Sequence, residues 1–346
     1  MPSVVTRSLI SEQVERVLAS AETFVRTHAT TGAQQRAMQT AADGLRLKIE
    51  RVDRGFHPAL FFAHMPLVVY AGLRGNPDPA IPLAAATTLF ALGIDLLDDV
   101  ADGDQPYGWS GATDGEINLA AVTLLSALAP LAIAELQAPA AVVSAMQRTL
   151  ADGLLHMCAG QQLDLAMTGT AGVRANEVEA SVVGKSGAQL ATFTRLAAQF
   201  AEGPPAVVDG YGELGRAIAS ACQLSSDCFE LLHDPAGRDF ANGARTLPLA
   251  LHLERLNGAD QSAFQKLLEQ ARTDESARQM VRALVRTSGA LRHAVFVVEI
   301  YCQKARHLCN RLAPLEPARS ALRSVIDCLT FFPEDTHEPR RRQDAD

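Results

Sequence analysis

Between Ala80 and Asp104 the chain writes a helix-length apolar run and then crowds Asp95, Asp98, Asp99, Asp102 and Asp104 onto its C-terminal end. The carbonyl end of a helix favours cations by a few tenths to about 1 kcal/mol per group, so acids gathered there are locally unfavourable. Such a segment constrains the fold twice. Its apolar body must be buried, and its acidic tip must reach an opening where an outside positive charge compensates it. Asp98 and Asp102 are four residues apart and leave one helix face, with Asp99 beside them, so two or three carboxylates can converge. Hard divalent cations take such oxygen ligands, and Mg2+ is commonly held by one or two carboxylates together with substrate phosphate oxygens. A solvated acidic helix exit is the alternative that this segment alone leaves open.

The rest of the chain repeats the helical period, and almost nothing reads as a strand. Helical patterns run over 8–27, 34–51, 58–72, 80–99, 114–137, 140–159, 176–202, 209–233, 248–256 and 260–312, the last with a break near Thr273. Gly and Pro punctuate them, as in Gly75-Asn76-Pro77-Asp78-Pro79 and Gly203-Pro204-Pro205. No fixed-period repeat is present, which predicts an all-α chain: one large helical bundle over residues 1–332 and a disordered tail over 333–346. Hydrophobic residues at 48% against 20% charged supply the core that such a bundle requires.

The net charge of −8 argues against a nucleic-acid partner and implies that an anionic substrate is met through metal ions. Six cysteines without a C-x-x-C pair, and charged residues in the opening segment, predict reduced thiols in a cytoplasmic protein. The apolar stretch from Ile117 to Ala134 approaches the ~20 residues that span a bilayer. Asn118, Ser126 and Pro130 interrupt it, and a central bundle helix, apolar all round, is the expectation in place of a membrane segment.

Further elements follow the acid cluster in a recognisable order. Asp98-Asp99-x-x-Asp102 resembles the first aspartate-rich motif of the trans-isoprenyl diphosphate synthases. Gly160-Gln161-Gln162-Leu163-Asp164-Leu165 is similar to their G-Q-x-x-D-L segment, and Gly184-Lys185-Ser186-Gly187 to their K-T/S-G segment. Gln223 to Glu230 falls where the second motif, Q-I-x-D-D-x-x-D, belongs, and Asp239 to Pro248 resembles D-L-x-x-G-K-x-T-L-P. The resemblance covers roughly Gly55 to Leu312 and implies the class I terpenoid-synthase bundle with a central cavity. It implies two acid motifs facing each other across that cavity and holding three Mg2+ on a prenyl diphosphate, with metal ligands Asp98, Asp99, Asp102, Asp227, Glu230 and Ser226. Lys185, Gln161 and Arg245 are then the expected diphosphate contacts, Asp98, Asp99, Asp102 and Lys185 the catalytic set, and a homodimer the expected assembly.

The sequence also departs from that pattern. Ser226 stands where the second motif has its first aspartate, with Asp234 a turn further as a substitute. The segment that binds isopentenyl diphosphate, G-K-x-x-R-P, is here Arg54-Gly55-Phe56-His57-Pro58, leaving Arg54 and His57 as imperfect replacements for a rigid cationic fork. The paired arginines after the first motif are replaced by Gln105 to Ser110, and the lysine before T-L-P by Ala244. Features that ionise an allylic diphosphate largely remain while those that bind a second diphosphate have mostly gone, which predicts a terpene synthase built on this scaffold. The alternatives are a chain-elongating prenyl diphosphate synthase, prenyl transfer to another acceptor, and a non-catalytic subunit of a heteromeric synthase. Aromatics are only 5%, with Phe61, Phe62, Phe90, Phe193 and Phe229 available to face a carbocation. Gly93 and Ile94, where short-chain members place aromatics, predict a deep cavity.

Overall fold

The computed structural model describes residues 4–50, 58–106, 108–170, 172–233 and 237–331, and every regular element among them is helical. Arg54, His57, Asp234 and the tail from 332 lie outside the described residues.

Helices α1 (Val4–His28), α2 (Gly32–Glu50) and α3 (Pro58–Arg74) lead through a tight turn at Asp78–Ala80 into α4 (Ile81–Asp102). α4 is a core helix of the bundle. Its body from Leu83 to Gly93 is buried, packed by α1 and α3, and the two hydroxyls there are satisfied by the helix itself: Thr87 and Thr88 donate to the Ala84 carbonyl at 3.0 and 2.7 Å. The helix stops at Gly103, whose φ of 76° lets its N–H turn back to the Asp99 and Val100 carbonyls. That stop leaves the acids on the last two turns.

α5 (Asp114–Thr123) opens with a capping box in which Thr113 N–H donates to Glu116 at 2.9 Å and Glu116 N–H donates to Thr113 at 3.3 Å. It passes through a wide π turn at Leu124–Leu128 into α6 (Ala129–Ala134). The expectation of a helix buried all round is corrected here. Half of its apolar window is buried, against 72% for α4 and the turn before it, and Leu119 and Val122 are 68% and 51% exposed. One face rests on α4, and the other is apolar without cover from the described chain. By length and composition both helices could cross a membrane, but the burial of α4 is that of a core helix.

The π turn also bears on the cavity. A Cβ added at Gly93 would lie 2.6 Å from Leu125 Cγ and 3.1 Å from the Ala121 carbonyl oxygen. Gly93 therefore serves the close approach of α4 to its neighbour, and Leu125 fills the space that the expected deepening would have used. Phe90 and Phe193 are fully buried and meet edge to face at 6.1 Å, so both are core. Phe229 is 38% exposed and stacks on His233.

α7 (Ala140–Met167) and α8 (Ala175–Val182) precede a second π turn at Val183–Gly187, from which α9 (Ala188–Phe200) descends between α7, α3 and α10 (Pro205–His233). Then come α11 (Arg238–Asn242), α12 (Leu247–Leu253), α13 (Gly258–Ala271), α14 (Glu275–Thr287), α15 (Ala290–Leu312), which packs along α10, and α16 (Ala318–Leu329). The helical patterns of the sequence omit α16, although Leu322, Val325, Ile326 and Leu329 carry its buried face at helical spacing.

Gly93→Ala should destabilise by about 1–3 kcal/mol through overpacking, and Leu125→Ala by about 2–5 kcal/mol through a cavity. In the double variant the two losses should fall short of their sum by about 1 kcal/mol or more, read from urea-denaturation midpoints. Strict additivity would show that the two residues do not share the space.

Candidate active site

The ends of α4, α7 and α10 and the π turn before α9 bring the sequence-predicted residues together. Lys185, on the π turn, places Nζ 2.7 Å from Asp98 Oδ1 on α4 and 3.5 Å from Asp164 Oδ2 on α7. Burial pulls the lysine's proton affinity down, but Asp98 and Asp164 outweigh it and hold the ammonium above its ordinary value. A wide turn within a helix commonly marks a functional position, and this one carries the only cation that the described structure pairs with Asp98.

Asp102 lies one turn beyond Asp98. Partial burial first, and then the Asp98 carboxylate, push it up to about 6. Asp99 sits half-buried on the same helix end.

Asp227 on α10 is 8% exposed and pushed up to about 8, by burial above all and then by Asp239, with Glu230 and Asp164 adding to it against a 2.9 Å hydrogen bond from Gln223. Ser226 donates to Glu230 at 2.9 Å, so these two occupy one side of the same helix turn. Asp164 thus acts on both acid groups, raising Asp102 on one side and Asp227 on the other, while accepting from Lys185. Neither Asp164 nor Asp239 is among the site residues expected from the sequence. Both lie inside the quoted motifs, and the missing signal was their convergence in space.

Gln161 sits on α7 beside this cluster in sequence, and both ends of its amide are buried without a hydrogen-bond partner. Arg245 is buried, and its guanidinium donates to the carbonyls of Thr170 at 3.0 Å and Gly243 at 3.1 Å, with Glu269 at 3.9 Å. That fork ties the loop after α7 to the loop after α11. Gln105 donates to the Trp109 carbonyl at 2.6 Å, and the Trp109 indole is buried.

The donor set fits a hard cation. Every candidate ligand is a carboxylate or hydroxyl oxygen, and burial together with acidic neighbours raises the proton affinity of two of the carboxylates, Asp102 and Asp227. Among the described residues no three acids, imidazoles or thiolates stand close enough to form a ready-made cage. Magnesium sites completed by substrate phosphate do not require one.

Comparison with known proteins gives the same frame. The curated short chain isoprenyl diphosphate synthase of Methanothermobacter thermautotrophicus is 26% identical over 275 residues, spanning 76% of this chain and 83% of that protein. Geranylgeranyl pyrophosphate synthetase from Pyrococcus horikoshii superposes with a TM-score of 0.79 at 19% identity, covering 94% of this chain and 98% of that one. A geranylgeranyl pyrophosphate synthase from Corynebacterium glutamicum, solved with isoprenyl diphosphate and magnesium, superposes with a TM-score of 0.75 at 18% identity, covering 94% and 98%. At these identities the solved structures establish the all-α isoprenoid-synthase fold. Residues 66–285, which contain the whole acid–lysine cluster, match the polyprenyl synthetase family, and the chain belongs to that family.

Proposed function

We propose that the protein is a chain-elongating prenyl diphosphate synthase, which ionises an allylic prenyl diphosphate and joins its C1 carbon to isopentenyl diphosphate. The observation that carries this reading is Lys185 held between Asp98 and Asp164, with Asp227 near enough to feel Asp164, all inside the family match. The relatives favour elongation over the terpene synthase expected from the sequence, since those compared are synthases of prenyl diphosphates. One observation keeps a one-diphosphate reaction as the second reading: Gln105 to Ser110 offers no cation where the family carries paired arginines.

In the proposed reaction the allylic C1–O bond breaks, its electron pair leaves with diphosphate, the alkene of the second substrate attacks C1, and loss of a proton restores an alkene. Lys185 keeps its charge because its acidic neighbours outweigh its burial, and it donates to the departing diphosphate oxygen. The unpaired Gln161 amide can donate to the same anion. Asp98, Asp99 and Asp102 on one side, and Asp227, Glu230 and Ser226 on the other, are the residues that would hold Mg2+, three ions by the resemblance. Bound there, the metal supplies the positive charge that offsets the leaving group. We place Asp164 with them, as the acid that orients Lys185 from α7.

A homodimer is part of the proposal. Leu119 and Val122 form an uncovered apolar stripe on α5, and a second copy covers such a stripe without adding a new chain.

Three results test these readings. With Mg2+ and geranyl, farnesyl or geranylgeranyl diphosphate, longer prenyl diphosphates should form only when isopentenyl diphosphate is present, and Lys185→Ala should lower turnover by about 10²–10³-fold. Hydrocarbon or alcohol formed without isopentenyl diphosphate would establish the second reading. Asp227 provides a pH test. Its folded value near 8 exceeds the ordinary carboxylate value, so the folded state binds the extra proton and loses stability as pH rises from about 4 to 8. Metal-free Asp227→Asn should therefore gain melting temperature over wild type across pH 5–8 and level off above, and Mg2+ with inorganic pyrophosphate should raise wild type more than the variant. A pH-independent difference would sink the buried-acid assignment. Finally, Leu119→Arg should shift the mass in sedimentation equilibrium from dimer to monomer, and a wild type that sediments as a monomer would remove the dimer.

A further inference from the structure

Lys185 must be held where α4 and α7 can both reach it, yet it stands on neither helix. The feature that places it is a backbone-to-backbone contact. Gly160 on α7 and Gly184 on the π turn meet without side chains between them: a Cβ at Gly160 would overlap the Lys185 amide nitrogen and lie 2.5 Å from the Gly184 carbonyl carbon, and a Cβ at Gly184 would lie 3.1 Å from Gly160 Cα. One residue type permits this approach, and both segments supply it. The contact is reinforced below by Ser181, whose buried hydroxyl donates to the Gly160 carbonyl at 3.1 Å. Asp164 is four residues after Gly160, on the same face of α7 and one turn along.

We propose that Gly160 and Gly184 are positioning residues for the reaction, a glycine-to-glycine seam that fixes the main chain of Lys185 one turn from Asp164 so that its ammonium bridges Asp164 and Asp98. The proposal deepens the reading of Lys185 as the diphosphate-binding cation and rests on it. Neither glycine touches the substrate. Their effect passes through the height of the π turn above α7, because a methyl group inserted between two main chains has no flexible side chain to push aside. Displacement of the turn carries Lys185 away from both carboxylates together.

Gly153 supplies the matched control. It lies two turns before Gly160 on α7, where a Cβ would meet the Thr192 side chain on α9, 2.7 Å from its Cγ2. Gly153→Ala disturbs the same helix seam without touching the π turn.

The experiment compares Gly184→Ala, Gly160→Ala and Gly153→Ala by melting temperature, by steady-state kinetics well below every melting point, by Mg2+-dependent binding of inorganic pyrophosphate in calorimetry, and by crystal structures of those that fold. Gly184→Ala, the milder insertion, should lower kcat by about tenfold or more and weaken pyrophosphate binding, as expected for an ångström-scale misplacement. The distance from Lys185 Nζ to Asp98 Oδ1, 2.7 Å in the wild type, should lengthen beyond hydrogen-bond reach. Gly160→Ala should be more severe, and where it fails to fold Gly184→Ala carries the test. Gly153→Ala should lose melting temperature while keeping kcat within about threefold. The proposal is overturned if Gly184→Ala keeps wild-type turnover and the 2.7 Å pair, or if kcat tracks melting temperature equally in Gly184→Ala and Gly153→Ala. A wild type inert with every allylic diphosphate removes the functional reading, and the Lys185–Asp98 distance in Gly184→Ala alone then decides the seam.

Discussion

The arrangement depends on one imbalance of charge at one end of the bundle. Asp98, Asp102 and Asp164 gather around the ammonium of Lys185, Asp227 feels Asp164 from α10, and the carbonyl end of α4 adds its own partial negative charge. Lys185 pairs with Asp98 and Asp164 directly. Burial first, and then their acidic neighbours, raise the proton affinity of the remaining acids: Asp102 up to about 6 and Asp227 up to about 8. A bundle that needed only stability would replace these acids with neutral side chains. Their retention fits a site whose missing charge arrives with its ligands.

Much of the fold was legible because long helices advertise themselves. The apolar body of α4, its Gly103 stop and the Gly–Pro breaks all act locally, so a linear reading finds them. The acid motif, Lys185 and the altered second motif were legible too, by residue type and order. What escaped depends on three-dimensional approach. Arg245 reads as a cation beside a diphosphate motif, but its fork is occupied by the Thr170 and Gly243 carbonyls, which lie 75 and two residues away in sequence. Gly93 reads as the absence of an aromatic, and only the fold shows Leu125 standing in its place. The outer face of α5 was misjudged for a related reason: an apolar residue reads the same whether it turns toward α4 or toward an uncovered surface.

The two π turns connect these observations. Each interrupts a run that the sequence presents as continuous helix, and each stands beside a glycine on a neighbouring helix: Leu125 against Gly93, and Gly184 with Lys185 against Gly160. A π turn widens the helix by one residue and pushes its main chain outward, which brings it into contact with a neighbour unless that neighbour has no side chain there. The glycines are therefore the complement of the turns. At Leu125 the pairing inserts a side chain and closes space within the core. At Gly184 it inserts a main chain, which leaves the Lys185 side chain free to reach past α7 toward α4. The same local geometry thus closes the bundle at one level and, at another, supplies the positive charge that pairs with Asp98 and Asp164.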